Sequence, residues 1–224
     1  MPYAHRPIHD ADAHVMEMTD WLHPHADPEL ESRLAKINIG GVSPEEQKRL
    51  EKFRGLHGDP EYRAKDEAEL MLRKNWAATG SFLKEDRPLA IDLLGFDSQL
   101  IFNTFLNGEL LKAERADDVA FAYGFARAHN RAMVDFCSPD PRLLGTAYIP
   151  LGAGPDIALQ YVNDVVRQGF AVVLIDTIPP AGGRSFTHPD YNKVWAAVTA
   201  ADLAVVLHIG ARGGPYQPVP DEFY

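Results

Sequence analysis

The chain has 224 residues, 22 Lys+Arg against 32 Asp+Glu for a formal net charge of −10, and a hydrophobic fraction of 46 %. That length sustains one sizeable core, and the ordinary apolar fraction excludes wholesale disorder. The acidic balance, with no long Lys/Arg run, argues against a nucleic-acid or anionic-membrane surface.

In chain order, residues 6–17 (RPIHDADAHVME) predict a short strand running into a loop. Residues 20–85 are charged and helix-prone, a helical insertion with breaks at Gly40-Gly41, Gly58-Asp59-Pro60 and Gly80. Within it, Ser43-Pro44-Glu45-Glu46 predicts a helix start, with an apolar stripe of Leu50 and Phe53. Ala68 to Ala78 suggests a further helix. From residue 86 helices and strands alternate. Helices are expected over 88–94, ending at Gly95, and over 116–136, 155–168 and 191–201. Strands are expected near 99–102, 142–151, 170–176 and 203–209, where the apolar runs suit strands covered by helices. Such alternation indicates parallel βαβ units.

Polar residues at the C-terminal ends of buried parallel strands sit where α/β sheets and barrels place their active sites. The first strand ends in Asp10, Asp12 and His14, which strict alternation puts on one face. Asp12 and His14 lie roughly 7 Å apart along an extended strand, a spacing at which both chelate one ion. His208, ending the fifth strand, supplies a third donor. Mixed oxygen and nitrogen donors suit Zn²⁺ or Mn²⁺ better than Mg²⁺ or Ca²⁺. Asn103 and Asp176 also end strands, as substrate contacts or as capping groups. Arg184 and Arg212, in glycine-rich loops on the same rim, are candidates to hold an anionic substrate. Glu17 is expected to be solvated, His9 to face away from Asp12, His129 to be structural and His188 to open a turn. His23-Pro24-His25 is a literal H-x-H, but its proline disfavours a strand. There is no G-x-S-x-G, P-loop or dinucleotide fingerprint.

The segment Ile8 to Glu17 (IHDADAHVME) resembles the first-strand motif of the amidohydrolase-related family, the branch with aminocarboxymuconate-semialdehyde, resorcylate and carboxyvanillate decarboxylases. Asn130 to Gly145 (NRAMVDFCSPDPRLLG), His188 to Trp195 (HPDYNKVW) and Val205 to Gly210 (VVLHIG) resemble three further segments of that family. The resemblance implies a (β/α)₈ TIM barrel with one divalent metal at its C-terminal rim. It aligns Asp12 and His14 with the first-strand ligand pair and His208 with the fifth-strand ligand. Many members carry His-x-His where this chain carries Asp-x-His, and an acidic residue there also occurs in several of the decarboxylases. The implied activity is non-oxidative decarboxylation of a small carboxylated compound, with metal-dependent hydrolysis of a carbonyl compound as the alternative. The acid/base histidine and the aspartate ligand that the family takes from its later strands are expected beyond Tyr224.

Setting aside residues 20–85 leaves enough chain for about five βα units at roughly 30 residues each. Residues 1–224 therefore read as an incomplete barrel, its first five βα units interrupted by the insertion after strand one. A homodimer is expected, or a complementary C-terminal chain that completes the barrel; the rival reading is a half-barrel without catalysis. One cysteine, Cys137, and no apolar leader suggest a cytoplasmic protein.

Overall fold

Five short strands, β1 (His9–Val15), β2 (Ser98–Asn103), β3 (Leu143–Tyr148), β4 (Val172–Ile175) and β5 (Ala204–Leu207), pair in parallel in chain order. They form the curled half-barrel of a partial (β/α) barrel. The computed structural model describes residues 6–34, 36–37, 39, 44–175 and 185–208. Between the strands run helices α1 (Glu31–Leu34), α2 (Pro44–Leu56), α3 (Pro60–Ala68), α4 (Arg87–Leu94), α5 (Leu106–Glu114), α6 (Val119–Cys137), α7 (Pro155–Arg167) and α8 (Asn192–Ala200).

The helix ends follow local chemistry. The Asp59 carboxylate accepts from Glu61 N and Tyr62 N, and Pro60 pre-sets the first turn of α3. Asp118 caps α6 by accepting from Phe121 N. Gly95 ends α4 in the left-handed conformation at φ 75°. The helix suggested over 68–78 does not form: α3 takes the earlier Asp59-Pro60 start and stops at Ala68. Short 3-10 turns follow at Leu70–Leu72 and Asn75–Ala77, the second beginning at Asn75 with φ 55°, which breaks any helix there. Helix α5 was absent from the sequence expectation; it is a short element directly behind β2.

The main core lies between the sheet and helices α5 to α8, around Leu106, Phe125, Ala126, Val162, Val173 and Val194. A second cluster packs Ala13, Val15 and Ile101 of the sheet against Ile91, Met133 and Phe136. Met16, Met18, Leu50 and Phe82 tie α2 of the insertion to the end of β1. No described helix is long and apolar enough to cross a membrane.

The insertion returns to the sheet beside β1, where Met16 N donates to Ser81 O at 2.8 Å. Gly80 makes this return possible. Its φ is 76°, and an added Cβ would lie 2.7 Å from Ala90 Cβ and 3.0 Å from both Arg87 Cα and Asp86 O. Left-handed strain and a clash with backbone combine. Gly80→Ala is expected to destabilise the chain by about 2–4 kcal/mol. A urea midpoint equal to that of the parent chain would contradict this.

Candidate metal centre

The register of β1 against β2 slips once, between Asp10 and Ala13: Asp10 pairs with Gln99, whereas Ala13 pairs with Ile101. Three residues of β1 therefore advance against two of β2, the signature of a bulge, and strict alternation fails at this point. Asp10, expected beside Asp12 and His14, instead joins the helix-side layer, where its carboxylate accepts from Gln99 Nε2 at 3.2 Å. His9 moves the other way. Paired with Ser98, it falls in phase with Asp12, and its Nδ1 meets Ser98 Oγ at 2.7 Å.

Above the slip, Asp12 and His14 project from the inner face of the half-barrel, and His208, one residue past β5, meets them there. One donor atom from each of Asp12, His14 and His208 lies within 4.8 Å of the others. Asp12 Oδ1 is 3.4 Å from His14 Nε2 and 3.1 Å from His208 Nε2. Two ligands at about 2.0–2.1 Å from one tetrahedral ion are roughly 3.3 Å apart. The Phe102 ring underlies both imidazoles, its centroid 4.7 Å from His208 and 5.8 Å from His14, and the two imidazoles meet edge-on at 5.3 Å.

The tautomer of His14 follows from its partners. Nδ1 faces the Asn103 carbonyl at 3.1 Å, an obligate acceptor, so Nδ1 carries the hydrogen. Thr104 Oγ1 donates to Val15 O at 2.8 Å and turns its own lone pair towards Nδ1 at 3.2 Å. Nε2 then bears a lone pair facing the Asp12 carboxylate. Burial holds the His14 pKa below the ordinary histidine range, against an upward pull from Asp12 and with a further downward push from His208. Two acceptors 3.4 Å apart, beside a second imidazole, want a cation between them. The donor set fits a divalent ion of the Zn²⁺ or Mn²⁺ kind, with Asp12, His14 and His208 to hold it.

Two residues behind the site were not expected there. Glu17, expected in solvent, is fully buried. Its carboxylate accepts from Thr104 N at 2.9 Å and from Phe105 N and Leu106 N at 3.2 Å, the amides that open α5. Burial pushes its pKa up to about 7 in spite of those amides. Arg87, also buried, donates from Nη1 to Gly80 O at 2.9 Å and to His14 O at 3.2 Å, and from Nε to Gln99 Oε1 at 2.9 Å. Glu17 and Arg87 escaped sequence reading because a charged residue is assigned to solvent by default. For Phe102 and Thr104 there was a signal: they flank Asn103 at a strand end already singled out.

Asn103 is itself fully buried and meets His14 through its main chain. Asp176, Arg184 and Arg212 lie outside the described residues. His23 and His25 sit in a 3-10 turn, with His25 Nε2 3.9 Å from Asp135 Oδ2. His129 is buried inside α6, and His188 caps the turn before α8 by accepting from Asp190 N.

The Glu17 proton carries a pH signature. The folded chain holds it up to about pH 7, the unfolded chain only to its ordinary 4.5. The associated stability is therefore fully present below about pH 4.5 and lost as pH rises through about 7, a change of about 3 kcal/mol. Glu17→Gln, which cannot ionise, is expected to flatten this part of the stability profile. Parallel parent and variant profiles from pH 4.5 to 8 would refute it.

The family model described as "Amidohydrolase" matches residues 9–222. No curated protein matches the chain. Among solved structures, a crystal structure of an amidohydrolase from Mycobacterium avium subsp. paratuberculosis K-10 superposes with a TM-score of 0.66 at 21 % identity, over 93 % of this chain and 60 % of that one. The chain thus spans about three-fifths of that neighbour's length, and the likeness extends to the fold. A family match that begins at the first residue of β1 and runs past His208 takes in the whole half-barrel and all three donors: the chain belongs to the amidohydrolase family.

Proposed function

We propose that Asp12, His14 and His208 hold one divalent ion, Zn²⁺ or Mn²⁺, in an enzyme that decarboxylates a small carboxylated compound without redox chemistry. The observation that carries this reading is the three-donor cluster at the mouth of the half-barrel, with an acidic residue, Asp12, at its first position. When bound, a divalent ion supplies Lewis-acid polarisation of a substrate oxygen. The chain's own residues do the rest. His14, held by Asn103 O, presents a lone pair of fixed direction, and Phe102 closes the apolar floor below it.

Arg184 and Arg212, in glycine-rich segments of the sequence, are proposed to hold the anionic group of the substrate. Hydrolysis at a carbonyl is the second reading, since an ion held by Asp12, His14 and His208 would also supply activation of water. The outer edge of β5 has no strand partner among the described residues, so the complete enzyme is proposed to need further strands beside β5.

The test is metal analysis of the purified chain, followed, in the enzyme complete with its further strands, by assays for CO₂ release and for hydrolysis on aromatic and enolic carboxylates and their amides. About one equivalent of Zn or Mn with CO₂ release is expected. A chain that neither retains a divalent ion nor gains thermal stability when one is added would overturn the metal reading. Hydrolysis without CO₂ release would overturn decarboxylation.

A further inference from the structure

We propose that Glu17 is a positioning residue for the metal centre, acting on His14 through the turn that joins β2 to α5. The proposal rests on the metal reading above but stands on contacts within the chain. Glu17 lies three residues beyond His14 and does not touch it. Its carboxylate instead accepts from three successive amides, Thr104 N, Phe105 N and Leu106 N. Those amides belong to the turn whose other polar groups, Asn103 O and Thr104 Oγ1, meet His14 Nδ1 at 3.1 and 3.2 Å.

One buried carboxylate thus pins a turn, and the turn pins the imidazole. The need for it is local. Helix α5 has no side-chain cap of its own: Phe105 precedes it in a helical conformation and offers no acceptor. The Leu106 amide is buried and those of Thr104 and Phe105 partly so, and without Glu17 they would have to turn towards other acceptors. Movement of the turn would take Asn103 O from Nδ1, and His14 would then adopt both tautomers, one of which places a hydrogen on the donor atom Nε2. Groups behind a ligating histidine commonly govern metal affinity by this route, at 10- to 100-fold per contact.

The experiment uses the full chain and two readouts. Long-range ¹H–¹⁵N spectra of the metal-free chain report the His14 tautomer, and titration with Zn²⁺ reports affinity. Expected for Glu17→Ala is a mixed tautomer and a Kd raised about 10- to 100-fold, with Glu17→Gln restoring most of both, because its amide oxygen still accepts. Should Glu17→Ala fail to fold, Glu17→Met fills the same volume without an acceptor and carries the same expectation.

Glu114 provides the comparison, a carboxylate that accepts from Leu151 N and Gly152 N at the next rim loop without approaching His14. Glu114→Met is expected to leave tautomer and Kd unchanged. An unaltered tautomer and a Kd within about twofold in the folded Glu17 variant would overturn the proposal, as would an equal loss in Glu114→Met. Failure of the parent chain to bind Zn²⁺ with a tautomer that still depends on Glu17 would strike the metal reading alone.

Discussion

Replacing His208 with alanine is expected to raise the Kd for Zn²⁺ by more than about 100-fold while leaving the fold intact. Loss of a group merely supporting a ligand costs about 10- to 100-fold, so loss of a donor itself exceeds that. The fold is spared because His208 lies past the last paired residue of β5: Leu207 still pairs with Ile175, and the ring's contacts are those with Asp12, His14 and Phe102. Removing the imidazole leaves room for water beside the exposed Asp12 carboxylate and takes from the main core only its contact with Phe102. His14→Ala is expected to abolish binding equally, with a larger loss of stability, because its ring also fills the space beside Asn103 O and Thr104. Retention of stoichiometric metal by either variant would refute the three-donor centre.

Arg87→Leu is expected to lower stability by about 3–5 kcal/mol and the thermal midpoint by about 10 °C. The guanidinium is buried among three acceptors that belong to three parts of the chain: Gly80 O at the end of the insertion, His14 O in β1 and the Gln99 amide in β2. Each acceptor left without a donor costs on the order of 1–3 kcal/mol. Burial already presses the Arg87 pKa down to about 10, evidence of how little water reaches the group. Arg87→Lys is not expected to rescue it, since one ammonium cannot reproduce a planar fork reaching a side-chain amide and two carbonyls. A loss below about 1 kcal/mol for Arg87→Leu would show that the insertion is held to β1 by other contacts.

Alternation of helix and strand after residue 86 was legible because the buried strands of a parallel sheet are apolar on both faces. LIF at 100–102, VVLI at 172–175 and AVVL at 204–207 stand out without any knowledge of register. The three donors were legible for a related reason. Asp12 and His14 recur at period two in the polar strand β1, and His208 follows the apolar run AVVL, where a polar residue is conspicuous. The slip in β1 was not legible. Alternation assigns Asp10 and Asp12 to one face, and only the pairing with Gln99 and Ile101 reveals the extra residue between them.

Helix α5 was missed because nothing in Thr104-Phe105-Leu106 announces a helix start; its cap is Glu17, almost ninety residues away in sequence. The chemistry of a helix end was thus supplied from a distant element, as was that of Arg87. Local rules locate what a segment contains and fail where its partner comes from elsewhere.

The two borders of the half-barrel are unequal. At β1, Ser81 O takes the Met16 amide and Arg87 takes the His14 carbonyl, so the upper part of that border has already spent its hydrogen-bonding capacity within the chain. At β5, the far side of the strand has no partner among the described residues, and Val205 and Leu207 keep 41 and 49 % of their surface in solvent. Among the described residues the border beside His14 is covered and the one beside His208 is open, so the third member of the cluster sits next to an unpaired strand edge.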